Sequence, residues 1–211
     1  MSDEELPAYS LVELAVDRLR RDILSGRTDP GERLVEEQLT RRLGISRAPL
    51  REAMRLLAQQ GLVEHIPRRG ARVATLSDDD VRELYEVRDV LERHAISTMP
   101  AALDLTGLRA ALDVMRKATD ADDRLELANA HRLFHTEVVR LSGNRQLANL
   151  YESILVRIQL YMAVNMRREA EIARAEDGVH RHERLFAAVE TGDADAVRAV
   201  LGDHGARAYL T

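Results

Sequence analysis

The chain has 211 residues, of which 45% are hydrophobic and 32% charged, enough apolar material to build packed cores and too much for a disordered chain. No apolar run approaches the roughly 20 residues that cross a bilayer, and the start, MSDEELPAYS, lacks the basic-then-apolar pattern of a secretory leader, so a cytoplasmic location is expected. Cysteine is absent, which excludes disulfides and thiolate metal sites and leaves metal chemistry to Asp, Glu, water and the seven histidines.

The net charge of −5 conceals an asymmetry. Residues 40–72 carry Arg41, Arg42, Arg47, Arg51, Arg55, Arg68, Arg69 and Arg72 against Glu52 and Glu64, a local charge of +6 that leaves about −11 for the rest. A basic segment joined to an acidic remainder suggests a nucleic-acid-binding module attached to a domain with another task.

From Ser10 to Gly26, Val12, Val16, Leu19 and Ile23 recur at helical spacing, and Gly26, Pro30 and Gly31 end the segment, which predicts a first amphipathic helix. A short helix follows from about Val35 to Leu43, with Leu39 inward. Gly44-Ile45-Ser46 turns the chain into a third helix, with Ser46 as its N-cap and Pro49 in its first turn, where the missing N–H breaks no bond. That helix runs to about Gln60 and stops at Gly61. Two β-prone runs, LVEHIP and ARVAT, joined by Arg68-Arg69-Gly70, read as a hairpin with a basic tip.

Beyond Leu76, Ser77-Asp78-Asp79-Asp80 offers helix-start chemistry, and from there only helical periodicity is found. Breaks near Pro100, Thr119 to Asp122, Ser142-Gly143-Asn144, Asn165 to Arg167 and Gly192-Asp193 give about six helices. The expected fold is mostly α. A winged helix-turn-helix of three helices plus a β-hairpin wing spans residues 8–76, and an all-α bundle spans 77–211.

On the third helix, Leu50, Ala53, Met54 and Leu57 form the packing face, and Arg47, Arg51 and Arg55 share the opposite stripe. Alone, such a stripe reads equally as a solvated face or as a guanidinium row for phosphates and guanine edges. The neighbouring turn and wing favour the second reading.

The run LTRRLGISRAPLREAMRLLAQQGLVEHIPRRGARV resembles the GntR superfamily signature of short helix, recognition helix and wing, a match extending over residues 10–75. The resemblance implies that Ser46, Arg47, Ala48 and Arg51 contact operator DNA, and that Arg68, Arg69 and Gly70 reach the adjacent minor groove. It also implies a homodimer, and therefore an operator with inverted half-sites. Glu37 stands where some members place a basic DNA contact, a role an acid cannot fill.

Downstream, His131 and His135 lie one turn apart on a face shared with Ala128 and Val138, a spacing that can chelate one ion. As an isolated pair they read more simply as two internally hydrogen-bonded histidines. His182 falls on the apolar face of Val179, Phe186 and Val189, with His180 on the polar side, and His204 lies among Val197, Val200, Leu201 and Ala208. Four inward imidazoles from three helices favour a shared metal, which satisfies them together.

The segments YEVRDVLERHA, HRLFHTEVVRLSGN and HERLFAAVETGDADAVRAVLGDH resemble the FCD ligand-sensing domain of the FadR branch. That resemblance implies a divalent metal held by an Asp or Asn and three histidines, matched here by His135, His182 and His204. The usual Asp position is His131, which favours a transition metal, zinc first and nickel second, over magnesium.

Arg88 lies on the inner face of Val81, Leu84, Leu91 and Ala95 and needs an anionic partner. Either an internal acid such as Glu92 pairs with it, or it holds the carboxylate of an effector, the role its position has in FCD domains. Arg132, Arg140, Arg157 and Tyr161 are further pocket candidates, and Asn144 is expected to cap a helix.

Together these features predict a transcription regulator, a repressor in the first instance, that binds a small organic acid and is not an enzyme. A metal-free sensor of a larger ligand is the alternative. A metal-dependent hydrolase is disfavoured because no HExxH or comparable motif supplies a general base.

Overall fold

Ser10 starts the first helix by a reciprocal cap. Its hydroxyl accepts from the Glu13 amide at 3.2 Å, and the Glu13 carboxylate accepts from the Ser10 amide at 2.8 Å, so two otherwise orphaned donors are satisfied. The computed structural model describes residues 10–169 and 175–204, with side chains described over 10–161 and 179–201. The chain divides into two compact units, Met1–Thr75 and Leu76–Thr211.

In the first unit, α1 (Leu11–Leu24) packs on α3 (Arg47–Gln59), burying Val16, Leu19 and Ile23 with Leu50, Ala53, Met54 and Leu57. The predicted inward face of α3 is thus the packed one. Between them, α2 (Glu36–Leu43) ends on Gly44 at φ 66°. A Cβ there would meet nothing within 4 Å, so the left-handed backbone itself is what calls for glycine.

The hairpin of β2 (Val63–Ile66) and β3 (Gly70–Val73) pairs Val63 with Val73 and Ile66 with Gly70. Ala71 and Val73 point inward, whereas the outward Arg72 bonds its cross-strand partner Glu64 at 2.7 Å. A third strand, β1 (Arg33–Leu34), pairs antiparallel with β3 and gives the order β1-β3-β2. Two residues are too short for alternation to register in a sequence, so this strand escapes a pattern search. Asp22, buried in α1, pairs with Arg42 of α2 at 2.9 Å, Arg27 at 3.2 Å and Arg18 at 3.6 Å, fastening the first two helices together.

The second unit is all helical among the described residues: α4 (Asp78–Ser97), α5 (Thr106–Asp120), α6 (Arg124–Arg140), α7 (Arg145–Glu169), α8 (Ala175–Glu190) and α9 (Ala194–His204). Ser77 and Asp80 form the same reciprocal cap at α4, and the Asn144 side chain accepts from the Leu147 amide at 3.1 Å at the start of α7. The break expected at Asn165 to Arg167 does not occur, because α7 runs on to Glu169. That stretch holds neither Gly nor Pro, and one Asn costs a helix well under ~1 kcal/mol.

Two apolar cores flank α6. One gathers Leu112 and Met115 of α5, Phe134 and Val138 of α6, Leu185 and Val189 of α8 and Val197 of α9. The other joins Leu84 and Ala95 of α4, Val139 of α6 and Leu147, Tyr151 and Leu155 of α7. Each large side chain so buried contributes about 1.5–3 kcal/mol. Because α6 faces both cores, its polar inward residues lie where α4, α7 and α8 converge.

Candidate functional site

The first unit presents a basic face built from the start of α3 and the tip of the hairpin. Ser46 occupies the N-cap position of α3, but its side chain makes no capping bond, unlike Ser10 and Ser77. Arg47 and Ala48 are exposed beside it, and Arg47 makes no ion pair among the described residues. Arg51 differs. Its Nε donates to both oxygens of Glu36 on α2, at 2.9 and 3.0 Å.

That hydrogen bond holds the Glu36 carboxyl below its ordinary range against a smaller opposing effect of burial. Arg55 is engaged by Glu52, at 2.9 and 2.6 Å, and Arg41 by Glu37 at 2.8 Å. Three arginines that the spacing makes equivalent are therefore distinct. Sequence reasoning passed over Glu36, whose partner lies 15 residues away on another helix.

At the hairpin tip, the Arg69 amide donates to the Ile66 carbonyl at 3.0 Å. This closes a turn in which Arg68 takes φ 64° and the following Gly70 φ 87°. A left-handed arginine is uncommon, and here the closed turn holds it. Arg68, Arg69 and Gly70 are all exposed. An open groove of about 380 Å³ is lined by Glu36, Arg47, Arg51, His65 and Gly70 among others. A second, of about 420 Å³, is lined by Arg33, Arg68, Arg69 and Arg72.

In the second unit three of the four histidines converge. The His131 ring centroid lies 4.7 Å from that of His135 and 4.8 Å from that of His182, and the last two are 5.3 Å apart. The rings are tilted by 54–79° rather than stacked, and one nitrogen from each lies within 4.8 Å of the others. His135 and His182 are buried, and His131 half-buried. His180, on the polar side as expected, is exposed and bonds Glu183 at 2.9 Å. His204 is the last residue of α9, and its side chain lies outside the described residues.

Beside the histidines lies a buried ionic cluster. Arg88 donates to Glu92 Oε1 from Nε at 3.1 Å and from Nη2 at 3.0 Å. Tyr151 of α7 donates to the same carboxylate oxygen, and its own oxygen stands 3.3 Å from Arg88 Nε. His135 Nδ1 lies 3.2 Å from Arg88 Nη2 and 3.3 Å from Glu92 Oε1. Burial opposes the charge on Arg88, but Glu92, with Tyr151 and Tyr85, more than offsets it and raises the guanidinium pKa above its ordinary value. Burial, then Glu92, pushes the Tyr151 hydroxyl well up, so it stays protonated and donates.

The anion facing Arg88 is thus Glu92, the internal partner weighed from the spacing. Tyr151, the third member, has a weaker sequence signal, a tyrosine on the apolar face of α7. Arg132 bonds Gln159 at 3.1 Å and Glu152 at 2.8 Å, Arg140 bonds Glu137, and Tyr161 bonds Asp78 at 2.8 Å. These three serve bonds between and within helices.

The donor set suits a metal. Nitrogen donors at about 2.0–2.1 Å around a tetrahedral ion stand about 3.4 Å apart, so the nitrogens, within 4.8 Å of one another here, would close by up to about 1.4 Å. In the tautomer whose Nδ1–H donates to Glu92, the Nε2 lone pair of His135 is the one a metal would take, as carboxylates orient metal-bound imidazoles elsewhere.

Among the described residues no helix is long and apolar enough to cross a membrane. Residues 11–73 match the model of the bacterial regulatory proteins of the gntR family, and residues 83–207 match the FCD domain. The uncharacterized HTH-type transcriptional regulator YdhC of Bacillus subtilis (strain 168) is 33% identical over 186 residues, covering 86% of this chain and 82% of the relative. The gluconate operon transcriptional repressor of Bacillus licheniformis is 28% identical over 184 residues, covering 84% and 74%. The crystal structure of a GntR protein from Rhodococcus sp. RHA1 superposes with a TM-score of 0.83 at 25% identity, over 96% of this chain and 98% of that one. With both halves matched in order, the chain belongs to the gntR family of bacterial regulatory proteins, carries an FCD domain, and is a transcriptional regulator rather than an enzyme.

Proposed function

We propose that the chain is an effector-controlled repressor, acting in the cytoplasm as a homodimer on operator DNA with inverted half-sites. Ser46, Arg47, Ala48 and Arg51 enter the major groove, and Arg68, Arg69 and Gly70 enter the adjacent minor groove. His131, His135, His182 and His204 hold a divalent transition metal, zinc in preference to nickel, which supplies an electrophilic centre for one end of a small organic acid. The repressor sense follows the relative named as a gluconate operon repressor. Self-association is supported by Val87 and Val90, exposed on α4, and Leu150, exposed on the neighbouring α7.

The observation that carries the sensing half is the gathering of three imidazoles beside a buried guanidinium. Arg88 reaches an effector carboxylate by exchanging Glu92 for it, one anion for another, so the desolvated cation is never left bare. Because Glu92 also touches His135 Nδ1, that exchange changes the setting of a metal ligand, and effector and metal affinities become linked.

The test is metal analysis of full-length protein purified without a histidine tag, followed by thermal melting with Zn²⁺, Ni²⁺ or Mg²⁺. Zn²⁺ at a hundredfold excess over its Kd should raise the melting temperature by about 5–10 °C. The rise should vanish in His135→Ala, and Mg²⁺ should have no effect. Less than about half an equivalent of any transition metal, with no response to added Zn²⁺, overturns the metal site.

A further inference from the structure

Glu36 is an acid placed where phosphates are expected. It lies on α2, one-third exposed, and lines the groove between the recognition helix and the wing glycine, Gly70, together with Arg47, Arg51 and His65. Near DNA a carboxylate repels the backbone, so its presence in this groove calls for a specific use. Its bonding supplies one. Both carboxylate oxygens accept from a single donor, Nε of Arg51, at 2.9 and 3.0 Å.

A guanidinium has two edges that can make paired hydrogen bonds, one formed by Nε with a terminal nitrogen and one formed by the two terminal nitrogens. With Nε held by Glu36, the terminal edge is the one left to meet a base. A guanine offers O6 and N7 at the spacing of such a fork. The other two arginines of the stripe lack this device: Arg55 is held by a glutamate of its own helix one turn away, which engages a terminal nitrogen as well as Nε, and Arg47 has no ion pair among the described residues.

We propose that Glu36 is a positioning residue for base readout: from α2 it holds the Arg51 guanidinium by Nε, so that the terminal edge is presented ready-made to a guanine in the major groove. The acid weakens general attraction to DNA and sharpens choice among sequences, because flexible arginines find phosphates anywhere whereas an oriented one is satisfied by few bases. The inference rests on the reading of α3 as the recognition helix with Arg51 as a base contact.

The experiment uses the full-length protein and a random duplex library. Wild type, Glu36→Gln, Arg51→Ala and the double variant are each carried through rounds of selection. Affinities are then measured by fluorescence anisotropy on the duplex that wild type enriches, on that duplex with each base pair changed in turn, and on an unselected duplex of equal length. The expected result for Glu36→Gln is a loss of about tenfold on the selected duplex, concentrated at one G·C pair per half-site. Affinity for the unselected duplex should be unchanged or raised, as expected when a negative charge leaves the interface.

In the Arg51→Ala background, Glu36→Gln should change nothing further at that base pair. The proposal is overturned if Glu36→Gln weakens binding to selected and unselected duplexes alike, as a merely structural role would. It is equally overturned if its effect persists without Arg51, or if discrimination at the G·C pair survives. Melting curves of each variant separate folding losses from these outcomes. If Arg51→Ala discriminates as wild type does, positioning fails while operator binding stands; if wild type enriches no sequence at all, the operator reading itself has failed.

Discussion

Arg51 and Arg88 are each paired with a glutamate, but the first pair is 64% and 33% exposed and the second 5% and 3%. The same chemistry therefore behaves in opposite ways in the two units. On the reading head, Glu36–Arg51, Glu37–Arg41 and Glu52–Arg55 stand in water, where such pairs contribute little to stability. In the bundle the pair is sealed among apolar helices and shared with Tyr151 and His135. Removing either partner there strands a charge without solvent. Exposure, more than the identity of the residues, separates a pair the fold can lose from one it can give up only to another anion.

The largest expected effect tests that contrast directly. Arg88→Ala or Glu92→Ala should destabilise the protein by about 3–5 kcal/mol in urea titrations, while Arg88→Met combined with Glu92→Leu recovers most of the loss. If the single variants unfold at the wild-type urea midpoint, the pair is not sealed and the contrast collapses.

Next comes the head, where Arg51→Ala should cost about ten- to a hundredfold in affinity for a selected operator duplex and leave the urea midpoint unmoved. Arg55→Ala, on the same stripe but held by its own helix, should change affinity by less than about threefold. Equal losses would return the arginines to a single undifferentiated row.

Smaller again is the wing, where Arg69→Ala should lower the slope of log affinity against log salt by about one while weakening all sequences alike. A base-specific loss would move Arg69 from backbone contact to readout.

The smallest effect concerns Glu183, whose carboxyl is held below its ordinary 4.5 by His180 and then by Arg116 on α5. A depressed carboxyl contributes stability that is present above pH 4.5 and lost as the pH falls through its folded-state value. Wild type should therefore melt slightly above Glu183→Gln at pH 6, by about 1 °C or so, and the two should converge in acid below pH 4.5. A gap that persists in acid would assign the difference to packing.

Much of the fold was readable in advance for a local reason. The periodic faces of α1, α3 and α4, the stop at Gly44 and the turn before Gly70 are written within a few residues of where they act. The missed strand β1 has no local period to show, and the unbroken α7 follows from the small helix cost of one Asn in a stretch without Gly or Pro. At the candidate site, the i, i+4 spacing made Glu92 a visible partner for Arg88, and the inward histidines stood out on their helix faces.

The residues that complete each site came from elsewhere in the chain. Glu36 meets Arg51 across 15 residues, and Tyr151 meets Glu92 across 59. Spacing along one helix establishes which side chains share a face, because the helical repeat is a property of the backbone. It cannot establish which other helix lies against that face, since that depends on how the two cores around α6 fill space. Composition and periodicity thus determine a winged head and a helical bundle with arginines and histidines in reserve. Packing decides that one arginine is held ready at the surface and another is paired in the interior, away from water.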